Sequence, residues 1–201
     1  LMARLARRPD DPAIAVRAEI GPDGFRTPWR VVMIGDHIGR LVESTLITSL
    51  NPPAEGDFSW VRPGRTAWDW WNGPSLAGVP AAGMNHATIR AFIDFAAESG
   101  LEYMLIDDGW YANSGAGGTL LPGADPLTPI PALDLPALIR HVGERDVGLW
   151  LWIHWRLIDR DMDRLLATYA SWGIRGIKVD FMDRTDQEMV GFYLRLLRAA
   201  P

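Results

Sequence analysis

The chain contains no cysteine, so it can build neither a disulfide framework nor a thiolate metal site, and its redox compartment stays open. It has no apolar run long enough to cross a bilayer, and no block of like charge that would make an acidic tail or a polybasic membrane patch. A formal net charge of -5 argues against a nucleic-acid partner, which asks for a basic face. The opening Leu1 to Arg8 lacks the apolar core of a signal peptide. Helical periodicity of convincing length is also missing from the first sixty residues.

What is present suffices for a core: 201 residues with 48% hydrophobic content lie in the range of one domain. Tryptophan is the compositional excess, with eight of the ten indoles between Trp60 and Trp155. Such a cluster serves as ordinary core, or, beside polar residues at strand ends, as platforms for sugar rings.

In the first sixty residues, Ala13 to Ile20 and Trp29 to Ile34 read as strands around the turn signal Gly21 to Gly24. Asp36 to Leu50 is ambiguous, and Asn51-Pro-Pro53 ends it. From Arg65 the pattern changes to alternating strands and helices. Thr66 to Trp71 reads as a first strand, followed by a helix capped by Asn85 and closed by Gly100. Tyr103 to Ile106 is a second strand, and a long loop from Tyr111 to Pro131 leads to a helix capped by Asp134. Val147 to Trp155 is a third strand, apolar on both faces, and Leu157 to Trp172 a third helix stopped by Gly173. The fourth strand runs to Asp180, and Thr185 with Glu188 forms a capping box for the next helix. Four strand-to-helix units predict an α/β fold with a parallel sheet and helices outside.

Polar residues gather at one end of that sheet. Asp69, Asp107, Asp108, His154, Lys178 and Asp180 all fall at or just after strand ends, so in a barrel they converge on one face. Each also has a structural reading. Lys178 with Asp180 could be a buried ion pair, Asp180 a cap, Asp69 a loop acceptor, His154 a satisfied core histidine, and Asp107 with Asp108 a turn or helix-capping element.

Five segments, taken in order, carry a resemblance: Thr27 to Gly35, Ser49 to Pro53, Arg62 to Trp71 with its Trp-Asp-Trp-Trp, Leu105 to Tyr111 with Asp-Asp-Gly-Trp, and Ile177 to Val190 with Lys-x-Asp. Together they resemble glycoside hydrolase family 97, from about Pro28 to the end. The resemblance implies an N-terminal β-sandwich, a catalytic (β/α)₈ TIM barrel and a small C-terminal β domain. Residues 1–60 would then be the tail strands of the β-sandwich with a linker, and residues 61–201 the first half of the barrel. A whole barrel needs about 250 residues, so this part is expected to be inactive by itself, its partner being the remainder of the parent chain.

The resemblance further implies a glycosidase acting on α-glycosides or oligosaccharides. Asp180 matches the nucleophile of the retaining branch. Lys178 would donate to sugar hydroxyls and help keep Asp180 ionised, Asp107 and Asp108 would accept from hydroxyls, and Trp70 or Trp110 would wall the sugar. His154 joins these as a substrate-binding candidate at its strand end. The family also implies a calcium ion, whose ligands, like the acid/base glutamate, would lie outside this chain. Glu102 and Glu188 are poor substitutes, one preceding a strand and the other lying in a helix cap. A periplasmic or secreted location is implied in the same way. An α-galactosidase is expected first. An inverting or retaining α-glucosidase of the same family, a sugar-binding module without catalysis, and a purely structural α/β domain are the alternatives.

Overall fold

A computed structural model describes residues 20–24, 29–53, 56–71, 73–115, 117–184 and 186–200. The chain forms two units, one within residues 17–62 and one holding the residues from Pro63 onward. In the first, the Gly24 amide donates to the Gly21 carbonyl at 3.0 Å and closes the expected turn. Trp29 to Ile34, expected as a strand, has no strand pairing. A strand exists through its hydrogen-bonded neighbour, and the segment expected beside it, Ala13 to Ile20, falls almost wholly outside the described residues. The ambiguous stretch becomes two short helices, α1 (Ile38–Val42) and α2 (Leu46–Ser49).

The second unit contains β1 (Thr66–Trp68), α3 (His86–Glu98), β2 (Tyr103–Ile106), β3 (Tyr111–Ala112) and β4 (Asp125–Pro129), then α4 (Leu135–Glu144) and β5 (Gly148–His154). It continues with α5 (Trp155–Arg160), α6 (Met162–Trp172), β6 (Gly176–Asp180) and α7 (Gln187–Ala199). The main sheet has the order β1-β2-β5-β6 and is parallel throughout, so the expected α/β class and the sequential strand order both hold. These four strands form an open sheet, not a closed barrel.

The helices begin where short polar side chains can take an orphan amide. Asn85 accepts from the Thr88 amide at 3.0 Å, and Asp134 from that of Ala137 at 3.0 Å. Ile89, Ile93 and Ala96 on α3 and Leu138 and Val142 on α4 recur at helical spacing and are buried. Gly173, at φ 81°, ends α6 in the left-handed conformation that suits glycine.

Three details depart from the expectations. The long loop contains the antiparallel hairpin β3-β4, anchored by the fully buried Tyr111 and by the Ile130 amide donating to the Trp110 carbonyl at 2.9 Å. The third helix is two helices, because Asp161 (φ -148°, ψ 52°) leaves helical geometry. The last helix is capped by Asp186, which accepts from the Met189 amide at 3.0 Å, and not by the expected pair Thr185 and Glu188. Thr185 lies outside the described residues, and Glu188 pairs with Arg184 at 2.6 Å.

The pleat divides the sheet into two faces. Met104, Ile106, Leu149, Leu151 and Ile153 alternate onto one face and are buried in the core shared with the helices. Trp68, Asp107, Trp150, Trp152, His154, Lys178 and Asp180 alternate onto the other. Gly176 leaves room there for an indole, since a Cβ on it would come within 2.5 Å of the Trp150 ring. Gly176→Ala is therefore expected to lower stability by about 1–3 kcal/mol through overpacking. Urea denaturation should show most of that loss recovered in the double variant Gly176→Ala/Trp150→Leu; no recovery would mean that the glycine serves another purpose.

Candidate active site

The register brings the strand ends level. His154 pairs with Asp180 and Trp152 with Lys178, while Asp107 leaves β2 one residue beyond Ile106, the partner of Leu151. Asp107, His154, Lys178 and Asp180 therefore share one end of the sheet.

Lys178 joins two of these residues. Its ammonium lies 2.7 Å from Asp107 Oδ2 and 3.3 Å from Asp180 Oδ2, and 4.7 Å over the Trp68 ring. Asp107 is only 3% exposed and is held on all sides. Its Oδ2 accepts from the Trp68 indole at 2.6 Å as well as from Lys178, and its Oδ1 takes the Asp108 amide at 2.8 Å. A buried carboxylate needs such compensation. Asp107 is thus first an anchor for Lys178, with little acceptor capacity left for a ligand.

Asp180 is more open. Its Oδ1 accepts from the Phe181 amide at 2.8 Å, and its Oδ2 from the Trp152 indole at 3.1 Å. Partial burial pushes its pKa up, but the Trp152 indole, the Phe181 amide and Lys178 outweigh that and hold it below the ordinary carboxylate value. Asp180 caps no helix, since α7 starts on Asp186. Its pair with Lys178 is partly exposed, so the buried ion-pair reading does not describe it.

The remaining candidates divide. Asp108 is half-buried; its Oδ1 has no partner among the described residues, and burial raises its pKa. His154 is buried at the head of α5, where Nδ1 accepts from the Arg156 amide at 3.1 Å. Burial and then Arg156 lower its pKa, which favours the neutral ring. Trp70 lies beyond β1, 55% exposed, with its ring on Trp68 at 5.9 Å, and is open to a ligand. Trp110 is not. It is 0% exposed, and its indole donates to the Trp152 carbonyl at 2.7 Å, so it supports the site from the core and cannot wall a sugar.

Sequence reasoning missed Trp68, Trp152 and Phe181. A period of two puts Trp152 on one face of β5 with His154, and Lys178 with Asp180 on one face of β6; that the two faces are the same is decided by the register. Asp69, expected at a strand end with a loop acceptor as its structural reading, is 2% exposed and accepts from the Asp107 amide at 3.0 Å, fixing the β2 end.

Comparison with known proteins assigns this sheet to a family. The model of glycoside hydrolase 97 matches residues 68–201, and that of the glycosyl-hydrolase 97 N-terminal domain matches residues 4–53. The chain belongs to glycoside hydrolase family 97. A protein of Bacteroides thetaiotaomicron described as a retaining alpha-galactosidase is 38% identical over 170 residues, 84% of this chain and 24% of that protein. A probable retaining alpha-galactosidase of Streptomyces bingchenggensis is 34% identical over 176 residues, 86% of this chain and 26% of its own length. The chain spans about a quarter of the length of these relatives. Among solved structures, a family 97 enzyme of Pseudoalteromonas sp. strain K8 superposes with a TM-score of 0.68 at 23% identity, over 80% of this chain and 28% of that one. It has been solved with acarbose and with panose. A beta-arabinopyranosidase gives a TM-score of 0.64 at 26% identity, over 83% and 25%.

Two expectations follow from this family member's electrostatics. Removing the indole donor in Trp152→Phe should raise the Asp180 pKa toward the ordinary carboxylate range, read by carbon-13 NMR titration of the aspartate carboxyls; an unmoved titration would leave Trp152 as packing only. Burial, opposed by the Asp107 amide and aided by the Asp107 charge, raises Asp69 from 3.8 to about 6. Between those values the folded state holds a proton that the unfolded chain has released. The contribution of Asp69 to stability therefore falls as pH rises from about 4 to about 6, by on the order of 3 kcal/mol. Asp69→Asn should remove that fall, and denaturation at pH 4 and pH 7 should show the variant gaining on the parent at the higher pH. A pH-independent difference would make Asp69 an ordinary carboxylate.

Proposed function

We propose that the parent protein is a retaining α-glycosidase in which Asp180 is the nucleophile, acting on α-galactosides. The observation that carries this reading is the Asp180 carboxylate itself. It is accessible at a strand end and ionised, with its oxygens oriented by an indole, an amide and an ammonium. A nucleophile must be charged and aimed before substrate arrives, and fixed donors do both. The names of the two curated relatives support the retaining course and the galactoside.

In this mechanism Asp180 attacks the anomeric carbon and forms a glycosyl ester. A second carboxyl group about 5 Å away protonates the leaving oxygen and then activates water. Glu102 and Glu188 do not fill that role: Glu102 accepts from the Arg65 amide, and Glu188 pairs with Arg184. The acid/base residue is therefore assigned to another part of the parent. Lys178 keeps Asp180 charged and donates a free proton direction to a sugar hydroxyl. Asp108 accepts a hydroxyl through Oδ2, which takes the Gly118 amide at 3.5 Å, Asp107 holds Lys178, neutral His154 lies beside them, and Trp70 packs against the ring or its aglycone.

The family resemblance implies a calcium ion for the parent. Among the described residues no group of three or more histidines or carboxylates is placed to hold a metal. No step above runs through it, and we assign its ligands to the rest of the parent. Periplasmic or secreted action belongs to the same proposal.

The test uses the full-length parent. Asp180→Gly should lose several orders of magnitude in kcat, and azide should restore turnover of a substrate with a good leaving group, giving the β-glycosyl azide from an α-glycoside. If the substitution mainly raises KM and azide restores nothing, Asp180 is a hydroxyl acceptor and an inverting α-glucosidase takes the place of this reading.

A further inference from the structure

We infer that Phe181 is a positioning residue that orients both oxygens of Asp180, one through its backbone amide and the other through its ring. The inference rests on Asp180 being the nucleophile and adds how that carboxylate is held. Phe181 has φ 61°, in the left-handed region. The other described residues with positive φ, glycines aside, are Ala81, Asn113 and Asp146, and two of those are types that tolerate the region. For a bulky aromatic residue this conformation is strained, and it persists only where the surroundings impose it.

The surroundings here are specific. The amide of Phe181 donates to Asp180 Oδ1 at 2.8 Å. Its ring lies parallel to His154 (8°, 5.8 Å) and edge-on to Trp152 (77°, 5.9 Å). Trp152 in turn donates its indole hydrogen to Asp180 Oδ2 at 3.1 Å. On the loop between β3 and β4, the Gly118 backbone comes so close that a Cβ there would lie 2.5 Å from the Phe181 ring, and Gly118 itself has φ 77°. The ring thus touches a strand, an indole and a loop backbone, and those contacts hold residue 181 in its left-handed conformation with the ring against the indole that donates to Asp180. Lys178 from the same strand, Asp108 beyond β2 and His154 at the end of β5 are the ionisable groups facing Asp180.

Three readings separate in one set of variants of the full-length parent. Phe181→Gly keeps the amide, relieves the backbone strain and removes the ring. Positioning predicts that kcat falls by roughly tenfold or more while KM changes less. It also predicts that the acid limb of kcat/KM and the carbon-13 carboxyl titration of Asp180 move to higher pH. Phe181→Tyr, which restores the ring, should recover most of the lost kcat. Gly118→Ala, which pushes on the ring without changing residue 181, should move the same readouts in the same direction by less. At 38% exposure Phe181 also has the surface of a sugar platform; a raised KM with kcat and titration unchanged would show that role and overturn the inference. Lower stability with unaltered kinetics and titration would reduce the ring to packing and overturn it as well. The carboxyl titration is independent of turnover. A moved titration in Phe181→Gly, with no azide rescue of Asp180→Gly, would uphold the positioning and remove the nucleophile.

Discussion

Lys178 between Asp107 and Asp180 is the constraint on which the rest of the site depends. A carboxylate as deeply buried as Asp107 is tolerated only because an ammonium at 2.7 Å and an indole donor at 2.6 Å meet the same oxygen. Once that pair is formed, the lysine cannot swing away without stranding a buried charge. Its remaining reach, 3.3 Å to Asp180, is then set by the sheet. Strands β2 and β6, which are not neighbours, are tied together across β5 at the end where the chemistry would occur.

Around that bridge, the tryptophan excess resolves into distinct duties. Trp68 and Trp152 each donate a hydrogen bond to an aspartate, while Trp110 donates to the Trp152 carbonyl from within the core. Trp150 fills the space left by Gly176, and Trp70 and Trp71 stay exposed beyond β1. An indole suits the donor positions because it fills core volume and offers one directed N–H, with no acceptor of its own. Charged donors in the same places would need further partners.

The fold does not decide the sugar. The structural neighbours include a family 97 enzyme solved with acarbose and panose, and a protein described as a beta-arabinopyranosidase, both over most of this chain. Function resides in sites carried by a scaffold. The four strands here hold a nucleophile candidate and its supports. The group that would protonate the leaving oxygen belongs, in the proposed mechanism, to another part of the parent.

The sequence by itself determined the four β/α units, their order, and the strand ends on which Asp107, His154, Lys178 and Asp180 fall. Those features follow from local periods, caps such as Asn85 and Asp134, and the stop at Gly173, all of which act over a few residues. Even there, local signals misled where two polar residues competed: Asp186, not Thr185, caps α7, because its carboxylate reaches the Met189 amide. Only the tertiary structure decided that Trp110 faces the core, that Asp107 is occupied by Lys178, and that Trp152 and Phe181 hold Asp180. Each of these is a contact between segments tens of residues apart, or a left-handed backbone at an aromatic residue. No local propensity encodes either, since both exist only when the packed sheet and loop supply the opposing surface.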